Sequence, residues 1–150
     1  MGEQSFELEV VGDLESLPVI LDFVADTMKR LGIEPSVGSR VQLAIDEACT
    51  NIIKHAYSQD KDTIALSLQL AGEELIVTIV DKGRPFDPTS VPAPDLDADL
   101  EDRRIGGLGI HFMKSLMDQV VYAFDPKAGN RLTMRKHLSP ADAQPQGFQP

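Results

Sequence analysis

The chain has 150 residues, of which 42% are hydrophobic, so it can bury the core of one domain without disulfides. Its net charge of −10 disfavours a nucleic acid partner, because binding to a phosphate backbone needs clustered lysine and arginine. The single cysteine, Cys49, excludes an intrachain disulfide, and neither a signal peptide nor a membrane span is visible, so we expect a cytoplasmic protein.

The chain opens with a predicted strand and a predicted helix. Residues 6–10 alternate apolar and polar side chains, as a half-buried strand does. Apolar residues then recur at helical spacing over residues 17–31. Asp13 or Ser16 could cap this helix, and Gly32 is expected to end it.

A second helix is expected to begin at Ser36 or Ser39. At about 100° per residue, Glu47, Asn51 and Lys54 lie within roughly 60° of one another, beside the apolar stripe. These polar residues could face a cleft, or they could be a solvated helix face with a weak Glu47–Lys54 pair. The stripe itself consists of Val41, Ile45, Ala48, Ile52 and Ala56.

Two further strands are predicted at residues 64–70 and 75–80, joined by a tight hairpin at 71–74. Asp81 ends the second of these strands, where a side chain can point into a pocket. Gly83 helps to break the strand just beyond it.

The second half of the chain contains a long loop, a helix and a hairpin. Residues 84–105 are rich in proline and acids and predict either a lid or a disordered insertion. The glycine-rich residues 103–109 lead into a third helix, a pattern that can bind phosphate but is weak evidence alone. Residues 118–124 and 131–136 predict a strand pair, and residues 139–150 a disordered tail.

These elements predict an α+β fold, a two-layer sandwich with a mixed, mostly antiparallel sheet and three helices on one face. The domain would span residues 1–138, with the lid at 84–105. The polar residues of the second helix, Asp81 and the glycine-rich run would then converge on a cleft between helices and sheet.

Three segments resemble the N, G1 and G2 boxes of the GHKL ATPases, which include gyrase-type topoisomerases, histidine kinases and mismatch-repair ATPases. The form is most similar to the small bacterial anti-sigma factor serine kinases. Residues 47–57 match the N box, residues 81–88 the G1 box and residues 106–110 the G2 box. The likeness runs from about residue 6 to residue 138.

The resemblance implies a role for each matched residue. Asp81 would accept a hydrogen bond from the adenine amino group, and Gly83 would let the base lie close to the backbone. Asn51 would coordinate Mg²⁺ through its amide oxygen. Glu47 would orient or deprotonate the attacking hydroxyl group.

The expected cofactors are therefore ATP and Mg²⁺, and further residues would contact the phosphates. Lys54 would meet phosphate charge, and Arg103 or Arg104 at the lid hinge would neutralise the γ-phosphate. Backbone N–H groups of the G2 box would bind phosphate oxygens, at Gly107, Leu108 and Gly109.

Two positions depart from the family pattern. Pro85 stands where the G1 box commonly has a second glycine, a variant compatible with the anti-sigma kinases. Asn130 follows Gly129 where a threonine often helps to hold adenine. Either Asn130 supplies a substituted polar contact or the alignment of this strand is off.

The resemblance implies a serine kinase that phosphorylates a small antagonist protein and sequesters a sigma factor, as a homodimer. One alternative is a module that binds ATP without catalysis and acts by sequestration. Another is a detached histidine-kinase catalytic domain. The second alternative is less favoured because His55, His111 and His137 lie in or beside the catalytic elements.

Overall fold

The computed structural model describes residues 4–56, 62–83 and 113–139, with only the backbone at residues 55 and 56. The predicted lid, the G2 box and all but residue 139 of the predicted tail lie outside these ranges. The described helices and strands are β1 Gln4–Val11, α1 Leu17–Arg30, α2 Pro35–Asn51, β2 Thr63–Ala71, β3 Glu74–Asp81, β4 Gln119–Asp125 and β5 Gly129–His137. Residues 113–116 are also helical.

The five described strands form one sheet in the order β1-β2-β3-β5-β4. Each neighbouring pair is antiparallel, so the described part of the sheet is antiparallel throughout rather than mixed. Gly72 allows the tight β2–β3 turn with a φ of 62°. At the β4–β5 turn the Asp125 carboxylate accepts hydrogen bonds from two backbone N–H groups, those of Lys127 and Ala128.

Helices and sheet share one apolar core, which confirms the predicted two-layer α+β fold. The helices contribute fully buried side chains such as Ile20 and Ile45, and the sheet contributes Leu68 and Val77. Burying a side chain of this size stabilises the fold by about 1.5–3 kcal/mol. Met113, in the described turn of the third helix, belongs to the same core.

Helix α1 lies close to its predicted bounds, but Ser16 at its N-cap makes no side-chain capping hydrogen bond. Asp13 caps a short 3₁₀ turn, Leu14–Ser16, by accepting a hydrogen bond from the Ser16 N–H group at 3.2 Å. The helix follows directly from this turn. Gly32 ends it with a φ of 71°, while the Ile33 N–H group donates to the Met28 carbonyl oxygen at 3.0 Å.

The predicted start of α2 at Ser36 or Ser39 is wrong, because the helix begins at Pro35. Proline fits the first helical position, where its missing N–H group has no partner to lose. The Glu34 carboxylate serves as the cap and accepts from the N–H groups of Ser36 at 3.0 Å and Val37 at 3.3 Å. A long acidic side chain thus takes the place of the expected serine.

Helix α2 also does not continue as an α-helix through Ala56. It ends at Asn51 and passes into a π-helical turn, Ile52–Ala56. This wider turn buries Ile52 and Ile53 in succession and leaves Lys54 exposed. Such turns are rare and occur frequently at functional sites.

Candidate functional site

The floor of the candidate site is formed where β3 ends and β5 begins. Asp81 and Asn130 are paired across the two strands, and they are only 4% and 3% exposed. Gly129 makes this approach possible, because a Cβ atom there would lie 2.4 Å from the Asp81 backbone oxygen. Its φ of 94° also favours glycine. The residue after Gly129, Asn130, therefore lies next to Asp81.

A small hydrogen-bond network holds the Asp81 carboxylate. The Asn130 amide nitrogen Nδ2 donates to Asp81 Oδ1 at 3.0 Å and to the Gly83 carbonyl oxygen at 3.1 Å. The Gly83 N–H group donates to the same Asp81 Oδ1 at 2.9 Å. Behind Asn130, the Tyr122 hydroxyl group donates to the amide oxygen Oδ1. Asn130, at the position that departs from the family pattern, thus makes a polar contact with the Asp81 carboxylate.

The environment of Asp81 shifts its pKa in two directions. Burial raises the pKa of this carboxyl, and the hydrogen bonds from Asn130 and Gly83 lower it. Burial is the larger cause, so the pKa is raised overall. A buried carboxyl with a perturbed pKa, placed in a pocket, is typical of a functional group.

Asn51 reaches the same pocket from the last turn of α2. It is 5% exposed, and within the described part of the chain its amide nitrogen Nδ2 has no hydrogen-bond partner. Unsatisfied buried amides are rare in native proteins because they lose hydrogen bonds to water without replacement. A ligand that offers a hydrogen-bond acceptor at this point would remove the deficit.

The pocket between α2 and the sheet is narrow. It has about 290 Å³ of space between atoms, but only about 20 Å³ is wide enough for a water molecule. The described residues therefore form the floor of the site and not a complete base pocket. Its walls combine polar groups with apolar side chains, namely Ala48, Asn51, Ile52, Asp81, Met113, Tyr122, Asn130 and Leu132.

Glu47 lies one turn before Asn51 on α2 and is half-buried. Burial raises its pKa, the neighbouring Asp46 raises it further, and the Lys54 ammonium lowers it. The pKa is raised overall, which makes the carboxylate a better proton acceptor than an exposed one. Lys54 is exposed, and among the described side chains no salt bridge joins it to Glu47, so the intrahelical pair of the alternative interpretation is not formed.

The remaining predicted phosphate-binding residues cannot be placed. Arg103, Arg104 and the G2 residues lie outside the described residues, as does Pro85. Conversely, Tyr122 lines the pocket although the sequence did not identify it as a site residue. Its only sequence signal was an aromatic residue with a polar tip on the core side of a predicted strand.

The donor set fits Mg²⁺ held jointly with a nucleotide. An amide oxygen is a hard ligand, and Mg²⁺ usually takes few protein ligands and completes its shell with phosphate oxygens and water. The described residues contain no group of three or more His, Cys, Asp or Glu that could hold a metal ion. A metal cage made only of these described side chains is therefore not available, and the phosphates would have to supply ligands.

Comparisons with known proteins identify the family and the fold to which the chain is similar. A family model described as "Histidine kinase-like ATPase domain" matches residues 10–136. Proteins called serine-protein kinase RsbW, from Bacillus cereus (strain Q1) and Bacillus anthracis, are each 28% identical over 139 residues, covering 90% of this chain and 86% of theirs.

A solved structure also shares the fold. It is the crystal structure of the RsbU and RsbW domains of Rv1364c from Mycobacterium tuberculosis. The match has a TM-score of 0.66 at 14% identity and covers 95% of this chain but 35% of that one. No helix in the described ranges is long and apolar enough to cross a membrane.

Proposed function

The chain belongs to the histidine kinase-like ATPase domain family, and on this basis we propose that it is an ATP-dependent serine-protein kinase and anti-sigma factor. It would phosphorylate a small antagonist protein and sequester a sigma factor. The observation that carries this proposal is the placement of buried Asp81 and buried Asn51 in one pocket. Glu47 lies one helical turn from Asn51, about 6 Å along α2.

Nucleotide binding would use the floor of the pocket. Asp81 accepts a hydrogen bond from the exocyclic amino group of adenine, and Gly83 leaves room for the base beside the backbone. Asn51 contributes its amide oxygen to Mg²⁺, which, when bound, neutralises phosphate charge. Lys54, Arg104 and the N–H groups of the G2 box, Gly107, Leu108 and Gly109, contact the phosphates.

Glu47 would act on the substrate serine. The serine oxygen forms a bond to the γ-phosphorus while the bond from that phosphorus to the bridging oxygen of ADP breaks. The serine proton passes to the Glu47 carboxylate. The raised pKa of Glu47 supports this role, because a carboxylate with a higher pKa holds the proton more readily.

The remaining features follow from the same family. We place the ATPase domain at residues 1–138, with a lid at 84–105 and a tail at 139–150. The protein would work in the cytoplasm as a homodimer, without contacting nucleic acid or a membrane. The serine-protein kinase names of the relatives, which this chain matches over 86% of their length, support the proposed kinase activity.

Transfer from labelled ATP to a small antagonist protein tests the catalytic role. Glu47→Gln removes the proton acceptor and retains the shape, so we expect transfer to fall by about 10²-fold or more. Glu15→Gln, an exposed change on the 3₁₀ turn, is the matched control and should transfer normally. Equal transfer by the wild type and Glu47→Gln would refute the role of Glu47.

Thermal unfolding with Mg-ATP tests nucleotide binding separately. A ligand at a hundred times its dissociation constant stabilises the folded state by about 2.7 kcal/mol. Stabilisation without transfer to any antagonist would favour the non-catalytic ATP-binding module. No stabilisation at millimolar Mg-ATP would contradict both functions.

A further inference from the structure

A chain of hydrogen bonds runs from β4 through β5 to the end of β3. The Tyr122 hydroxyl donates to the amide oxygen of Asn130, and the amide nitrogen donates to Asp81 and to the Gly83 carbonyl. The three side chains of this network, Tyr122, Asn130 and Asp81, all line the pocket. Asn130 is 3% exposed, so it has little contact with solvent.

The orientation of the Asn130 amide is determined by its neighbours. The Asp81 carboxylate and the Gly83 carbonyl are both acceptors, so only the amide nitrogen can face them. If the amide were flipped, its oxygen would lie against two other oxygens. In the observed orientation the amide oxygen needs a donor, and the Tyr122 hydroxyl supplies one.

Asparagine can do here what a threonine cannot. A hydroxyl group has one hydrogen to donate, whereas the amide nitrogen has two. Asn130 therefore donates to the Asp81 carboxylate and to the Gly83 carbonyl at the same time, at 3.0 and 3.1 Å. This ties the carboxylate to the short segment that follows β3.

The bonds leave a defined part of Asp81 for the pocket. Among the described residues, the side-chain hydrogen bonds to this carboxylate come from Asn130 and Gly83, and both end on Oδ1. Oδ2 therefore remains as an acceptor for a ligand. An amino group, as in adenine, satisfies such an acceptor, while the carbonyl oxygen of guanine at the same ring position would be repelled.

We infer that Asn130, held by Tyr122, is a positioning residue that aims Asp81 Oδ2 at the base and thereby determines selection of adenine over guanine. This inference rests on the proposed function, because it takes Asp81 as the contact to the base. Asn130 itself acts through Asp81. Without Asn130, the Asp81 carboxylate can turn away from the base. This weakens the binding of ATP, and it also removes the repulsion that disfavours the binding of GTP.

The test compares the dissociation constants of Mg-ATP and Mg-GTP, measured by calorimetry on the full chain. In Asn130→Leu we expect ATP affinity to fall by about tenfold and the ATP-to-GTP preference to narrow by a similar factor, since about one hydrogen bond is lost. Asn130→Thr keeps one donor for Asp81 and should recover most of the preference. Tyr122→Phe should also reduce the ATP-to-GTP preference, but by a smaller factor than Asn130→Leu.

A buried hydrogen bond far from the site provides the control. The Thr27 hydroxyl donates to the Phe23 carbonyl oxygen within α1, so Thr27→Val lowers stability without touching the pocket. This variant should leave the ATP-to-GTP ratio unchanged. The comparison separates a general loss of stability from a loss of base selection.

The outcomes distinguish the inference from the function on which it rests. A wild type that binds neither nucleotide, or binds both equally, overturns the proposed use of Asp81. A wild type that prefers ATP, together with a folded Asn130→Leu whose preference is unchanged, overturns only the role of Asn130. If Asn130→Leu does not fold, Tyr122→Phe decides, and an unchanged ATP-to-GTP preference in that variant is contrary to the inference.

Discussion

Asp81 is a carboxylate whose ionised form destabilises the fold that contains it. Its pKa is raised from an ordinary value of 3.8, chiefly by burial. A raised pKa in the folded state means that the folded protein binds more protons than the unfolded chain. The stability contributed by this group is therefore present at low pH and lost as the pH rises past its ordinary value through the raised one.

At this residue, we predict that Asp81→Asn keeps the stability of the fold but removes ligand binding. An asparagine oxygen can still accept from Gly83 and Asn130, and the buried charge is removed. In urea at neutral pH, without nucleotide, the free energy of unfolding should be equal to or above that of the wild type. The additional stabilisation by Mg-ATP should be lost.

Asp26→Asn is the matched control, because Asp26 forms an exposed pair with Arg30. It should retain full stabilisation by Mg-ATP. An Asp81→Asn variant that unfolds more easily than the wild type would contradict the view that this charge is carried for function.

The relative positions of residues were predictable from the sequence where they depend on one element. Glu47 and Asn51 are four residues apart, and helical periodicity alone places them on the same side. Tyr122 was not predictable, because it meets Asn130 diagonally across two strands. The register pairs Tyr122 with Leu132 and Asn130 with Phe124, and no local pattern specifies that offset.

At the scale of the element, the π-helical turn after α2 separates Lys54 from the pocket floor. Lys54 is exposed, yet its ammonium still lowers the pKa of Glu47 through space. We predict that Lys54→Met raises the pKa of Glu47. Since the ionised Glu47 carboxylate is the proposed proton acceptor, the acidic limb of the pH–rate profile of the proposed kinase reaction should move to higher pH.

Lys29→Met serves as the control for this shift, because Lys29 is an exposed lysine near the end of α1. Its profile should coincide with that of the wild type. An acidic limb that stays in place in Lys54→Met would show that another group sets the lower pH limit.

The start of α2 gives a second prediction at this scale. Glu34→Ala removes the acceptor for two backbone N–H groups, so we expect a loss of about 0.5–2 kcal/mol in the free energy of unfolding. Ser39→Ala, at the start that the sequence favoured, should be neutral or slightly stabilising because alanine is the better helix former. Chemical denaturation of both variants checks this, and a larger loss in Ser39→Ala would contradict it.

The sequence misplaced this start for a definable reason. Serine is a frequent helix cap and glutamate is not, so residue preference favours Ser36 or Ser39. Pro35 is a competing signal, because proline suits the first helical position. The reach of the Glu34 side chain back to the first turn is a matter of geometry that residue preference does not contain.

At the scale of the whole molecule, tight turns indicated which strands pair within each hairpin, and those pairs are confirmed. The turns did not indicate that β5, and not β4, lies beside β3. That choice depends on contacts between segments far apart in the chain. This strand order also forms the candidate site, because it places Asn130 next to Asp81.

The net charge of −10 leads to a prediction for the whole protein. Like charges repel more strongly in the compact state, and salt screens them over about 10 Å at 0.1 M. Raising sodium chloride from about 0.02 to 0.2 M should therefore raise the melting temperature in the absence of nucleotide. A melting temperature that falls over this range would show that attractive pairs outweigh the repulsion.

Gly129 allows the end of β3 and the start of β5 to lie close together because it has no side chain. A methyl group at this position would overlap the last carbonyl of β3, so the two strand ends would have to move apart. Such a displacement would weaken the hydrogen bond between Asn130 in the β4–β5 hairpin and Asp81 in the β2–β3 hairpin. We therefore expect Gly129→Ala to disturb both the folding of the protein and its proposed recognition of the nucleotide.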